Sequence, residues 1–116
     1  MRGFTLYSVG AMLPLGDGGT ATVGFLESSA EHVTVRVRFS AAEVMRSHST
    51  GCALLVGVHP LFWELTVGGA DPLAAVADVV FRGTVPADAG EVSLRLGAEG
   101  AWRRVALTRV PVTPPR

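Results

Sequence analysis

A chain of 116 residues has room for one domain, and its 48% hydrophobic against 17% charged residues supplies a core and excludes wholesale disorder. Ten basic residues balance ten acidic ones, so no long-range field draws the protein onto nucleic acid, and binding there would need a local basic patch. The one cysteine, Cys52, leaves no internal disulfide, and no apolar run approaches the roughly 18 residues of a membrane helix.

From the N-terminus, GFTLYSV predicts a first strand over residues 3–9, and LGDGG at 15–19 a turn whose glycines tolerate positive φ. The opening lacks the apolar run of roughly 7–15 residues and the small-residue cleavage site of a secretory leader. TATVGFLES and HVTVRVRFS, joined by a short polar loop, predict a hairpin over 20–39. In its second arm Val33, Val35, Val37 and Phe39 alternate with Thr34, Arg36, Arg38 and Ser40, the period-two pattern of a strand buried on one face.

After Phe39 the pattern changes. Ser40 and Glu43 have the spacing of a capping box, which predicts a short helix over about 41–48 that Gly51 stops. CALLVGV is short, rich in Val and Leu and without alternation, which predicts a strand covered on both faces. Pro60 cannot donate to a ladder and disfavours helix at His59, so LFWELTV is expected as a second strand beyond a bend at His59–Pro60. Asp71 followed by Pro72 is a helix-start signal, predicting a second helix through PLAAVAD, then a strand in VVFRGTV, with helix continuing to Phe81 as the alternative. EVSLRL and AWRRVALTRV, around the turn GAEG, predict a hairpin over 91–110 with Val92, Leu94 and Leu96 inward. PVTPPR at 111–116 reads as an extended proline-rich tail beyond a single β-rich domain of residues 1–110. The sum is mainly β: an antiparallel β-sandwich or small barrel of six to eight short strands with one or two short helices.

Chemistry leaves few traces. His48, Cys52 and His59, with His32 further off, are zinc-ligand types, but their spacing matches no paired knuckle pattern, so no metal site is assigned. Cys52 and His59 would stand roughly 23 Å apart on one strand, too far for a nucleophile and its base. GDGGTATVG lacks the lysine of a phosphate loop and leads into a strand, so a tight turn explains it. No catalytic residue and no cofactor are assigned.

Two sets of residues stand as binding candidates. His59, Phe62, Trp63 and Glu64 around the bend, with Tyr7, bring imidazole, aromatic and carboxylate groups that suit a small ligand pocket. Alternation would set Leu61, Trp63 and Leu65 on one face and Phe62, Glu64 and Thr66 on the other. Arg36, Arg38, Arg95, Arg103 and Arg104, with Arg109, would form an anion-binding stripe if the two hairpins were neighbours. The competing reading pairs them with Glu27, Glu31 and Glu91 on a solvated face. Only Trp102 beside Arg103 and Arg104 resembles the aromatic interleaving of a single-strand nucleic-acid binder.

All basic residues are arginine, and lysine, isoleucine and asparagine, which use A/T-rich codons, are missing, so a bacterium with a GC-rich genome is the expected source and the cytoplasm the expected compartment. The expected function is a non-catalytic module that binds a protein partner or copies of itself as a homo-oligomer, as accessory, structural or immunity-type subunits do. The alternative is a β-barrel that takes a small molecule, including an enzyme acting by substrate orientation without metal. A membrane partner is not expected, and nucleic acid is the weakest reading.

Overall fold

The computed structural model describes residues 4–16, 18–70 and 75–111. The chain runs β1 (Thr5–Pro14), β2 (Thr20–Ser28), β3 (His32–Phe39), α1 (Ala42–His48), β4 (Ala53–Val56), β5 (His59–Ala70), β6 (Ala75–Arg82), β7 (Glu91–Arg95), β8 (Trp102–Ala106) and β9 (Thr108–Arg109). Every pairing is antiparallel, and the single sheet has the order β8-β7-β4-β5-β6-β3-β2-β1-β9. Since β8 and β9 are two halves of one chain segment, broken at Leu107, the sheet curls until its last strand meets its first. The expected mainly β class holds, as a nearly closed barrel.

Closure accounts for the nine strands where six to eight were expected. The partner strand of the C-terminal hairpin does not run straight through: β8 pairs with β7, and β9 leaves to pair with Tyr7 and Ser8 of β1. Beyond Ser8, β1 has no partner on that side among the described residues, and β8 has none opposite β7. These two edges flank an open seam.

The period-two signals are sound. Val33, Val35, Val37 and Phe39 are buried, as are Val92, Leu94 and Leu96. Together with Tyr7, Leu26, Leu54 and Phe81 they fill the barrel, each large apolar side chain contributing roughly 1.5–3 kcal/mol relative to exposure. Helix α1 lies against β6 and β3 and turns Val44 and Met45 onto the core. Its expected capping box does not form: Ala41 is the N-cap, no side chain caps it, and the Ser40 hydroxyl accepts the Thr20 amide instead.

Two local expectations are corrected. The second helix is absent from residues 75–78, which belong to β6; residues 71–74 lie outside the described ones, as does the tail from 112 onward. Its residues Ala75, Ala77, Val79 and Phe81 point inward between partners on both sides, and that long-range pairing overrides the local helix-start signal. The bend at His59–Pro60 is a two-residue turn at Gly57 and Val58, with Gly57 at φ +63°, as the first position of a type II′ hairpin requires. Pro60 then falls within β5 opposite Leu55, where β4 is its only neighbour, because pairing with β6 begins at Phe62.

Tyr7, the only tyrosine, is fully buried and donates its hydroxyl to the Pro86 carbonyl at 2.9 Å. Burial pushes its phenol above the ordinary value, with Arg109 opposing and Asp88 assisting. The folded state therefore keeps this proton past the pH at which the unfolded phenol releases it, so stability falls as pH rises above about 10. Ultraviolet titration of the native protein is expected to show Tyr7 ionising late, and Tyr7→Phe to flatten this part of the stability–pH curve. An ordinary titration midpoint refutes this.

Candidate functional site

Strand β5, like β1 and β2, departs from a simple strand at a shift in register. Trp63 stands opposite Phe81, and the next paired residue is Leu65, opposite Val80; Glu64 is the extra residue of a bulge. One inserted residue exchanges the faces of everything after it. Trp63 and Thr66 therefore both face in, while Phe62, Leu65 and Val67 face out at 72%, 44% and 63% exposure. The expected grouping of Leu61, Trp63 and Leu65 is corrected: Leu65 joins Phe62, and Thr66 joins Trp63. The indole Nε1 of Trp63 donates to the Thr66 hydroxyl at 2.9 Å, which in turn donates to the Ser49 carbonyl and ties β5 to the chain leaving α1.

The bulge aims Glu64 at side chains on β6 and β3. Arg82 Nη2 of β6 lies 2.7 Å from one carboxylate oxygen and His32 Nε2 of β3 lies 2.8 Å from the other. The hydrogen bond from Arg82 holds the Glu64 carboxyl below the usual carboxylate range, against a smaller opposing effect of burial. Beside this cluster Arg36 grips Asp78 with both ends of its guanidinium, at 2.9 and 3.0 Å. Val80 stands outward between the two ion pairs, next to Leu65.

The five pocket candidates thus do not converge. Phe62 and Glu64 share the outer face, Trp63 points into the barrel, and His59 is exposed at the head of β5 opposite Val56. Tyr7 lies on β1, with β2, β3 and β6 between it and β5. Cys52 is buried at the start of β4, where its thiol donates to the His48 carbonyl; burial pushes the thiol up, opposed by the Gly97 amide and Arg95.

The arginines divide as well. β4, β5 and β6 separate β3 from β7, so the hairpins are not neighbours and the stripe does not form. Arg36 and Arg38 stand on the outer face of β3. Arg36 takes Asp78, not Glu27 or Glu31, whereas Arg104 does approach Glu91, at 4.0 Å. Arg95 lies 5.4 Å from the centre of the Trp102 ring and donates to the Gly97 and Gly51 carbonyls. Arg103 is set apart: it pairs across from the buried Leu94 and so belongs to the inward face, at the seam.

A cleft of about 600 Å³ opens along that seam, lined by the end of β1, the residues after α1 and the β7–β8 turn. Sequence reading missed two features: the outward turn of Leu65 and Val67, for which only an offset in β-pairing could speak, and the part of Arg82 in the Glu64 cluster. No protein-family model matches the chain, and no curated protein or solved structure matches it significantly.

Proposed function

We propose that the chain is a non-catalytic interaction module whose outer β5–β6–β3 face receives a second copy of itself. The observation that carries this reading is the row Phe62, Leu65 and Val67, presented to solvent by the bulge on a barrel whose interior is already filled. Around the row, Arg36, Arg38 and Arg82 stand with Asp78 and Glu64, and Glu27 of the adjoining β2 borders them, so the surroundings of the row carry both signs. Such a surface gains little from a partner of one charge and meets its own copy without net repulsion, as an isologous interface requires. Ion pairs already closed within the face fix the frame, and an exposed aromatic supplies an anchor. The lone buried cysteine and the codon bias support a bacterial cytoplasm as its place.

Light scattering at micromolar concentration is expected to return a multiple of the chain mass, and Leu65→Asp with Val67→Asp to return the single chain at an unchanged melting temperature. A wild-type monomer, or a variant that stays assembled, overturns the proposal.

A second reading, a barrel that takes a small ligand, is favoured by the seam cleft, whose volume lies within the roughly 300–1,000 Å³ of ligand sites.

A further inference from the structure

The seam holds a charge that the fold leaves unused. In the β7–β8 ladder Val92 faces Val105 and Leu94 faces Arg103 on the inward side, while Ser93 with Arg104 and Arg95 with Trp102 face outward. Two residues from a buried valine, the inward side of β8 therefore presents a guanidinium where a core residue would stand in a closed barrel. Closure by β9 stops at Ser8 of β1, so Arg103 opens into the cleft instead of being buried. Arg36, Arg82, Arg95 and Arg104 each have a carboxylate or carbonyl partner, whereas the Arg103 side chain, like those of Arg38, Arg46 and Arg109, makes no hydrogen bond or ion pair among the described residues; of these four only Arg103 lines the cleft. Leu13, Leu15, Leu94 and Leu96 give the cleft its apolar lining, and Glu99 stands on the β7–β8 turn at its rim.

We infer that this cleft binds a small carboxylate with an apolar body, the Arg103 guanidinium taking the carboxylate and the body lying between Leu13, Leu15 and Leu96. A guanidinium offers two parallel donors that match a carboxylate, and its attraction is strongest where one side is apolar protein. The unpaired edges of β1 and β8 add main-chain donors and acceptors along the walls. Glu99 sets the direction: the carboxylate sits at Arg103, and the body occupies the part of the cleft nearer the turn. This site is separate from the β5 face, so either assignment stands or falls alone.

Decanoate below its micelle concentration is the probe, followed by amide chemical shifts and by calorimetry. Shifts are expected along 13–15 and 94–103. Arg103→Gln is expected to weaken binding about tenfold, the order of one charge-assisted hydrogen bond, and Glu99→Gln to tighten it. Decanol, with the same body and no charge, is expected to bind the wild type no better than decanoate binds the glutamine variant. An apolar tripeptide with a free C-terminus distinguishes a peptide end from a free acid as the source, and either one held through Arg103 supports the assignment. The Leu65→Asp/Val67→Asp protein is expected to bind decanoate as the wild type does. Absence of binding, equal affinity in Arg103→Gln, or shifts confined to the β5 face overturns it. So does an Arg103→Gln protein that only associates more, because the arginine then serves as an inward charge guarding a strand edge.

Discussion

Phe81→Ala is expected to lower the free energy of unfolding by about 3–5 kcal/mol, while Val80→Thr, one residue earlier on the same strand, changes it by less than about 0.5 kcal/mol. Phe81 is fully buried one residue before the end of β6, opposite Val33 of β3 on one side and Trp63 of β5 on the other. Truncating it removes its transfer energy and leaves a void that walls hydrogen-bonded on both sides cannot close. Val80 points to the outer face, half-buried between Thr34 and Leu65, where a hydroxyl in place of a methyl leaves no void in the barrel. Against a typical total of roughly 5–15 kcal/mol, the first loss is a large share of the stability. Urea denaturation followed by circular dichroism measures both, as a fall in midpoint at unchanged slope. Equal effects at the two positions mean that β6 does not have the described register.

Gly100→Ala is the second large effect, and it links the fold to the cleft. A Cβ at residue 100 would lie 2.2 Å from the Leu96 carbonyl oxygen, and because that atom is backbone, no side-chain rotation relieves the contact. The turn has to open, which strains the bond from the Gly100 amide to the Gly97 carbonyl, at 3.4 Å, and moves the start of β8. Overpacking of this kind costs about 1–3 kcal/mol. Since Arg103 follows three residues later, the same substitution is expected to weaken decanoate binding along with stability. Ala30→Gly, in the loop between β2 and β3, is expected to spare the cleft. Thermal melting and the decanoate titration together check this; a Gly100→Ala protein with native melting temperature and native affinity contradicts the turn geometry.

Much of the barrel wall was legible in the chain. The alternation of Val33, Val35, Val37 and Phe39, or of Val92, Leu94 and Leu96, is a local statement about two faces, and strands keep it wherever they are placed. The hairpin over 20–39 follows from signals within a few residues of one another, whereas the helix after Ser40 forms without the capping box that predicted it. Residues 75–78 misled because Asp71 and Pro72 are also a local signal, while the alternation of Ala75, Ala77, Val79 and Phe81 acquires its force only once β3 and β5 flank it.

The candidate sites were less legible, for a physical reason. Which face Leu65 and Val67 occupy depends on one extra residue at Glu64, and a bulge exists only relative to a partner strand. Whether Arg36 and Arg103 share a surface depends on strand order, which long-range pairing decides. The break at Leu107 that closes the barrel and leaves Arg103 facing a cleft is decided likewise. By itself the sequence determined that this protein would build an apolar-lined β layer, because periodicity is local. Only the tertiary structure decided which side chains remain outside it, because register, bulge and closure belong to pairs of strands and not to any one of them.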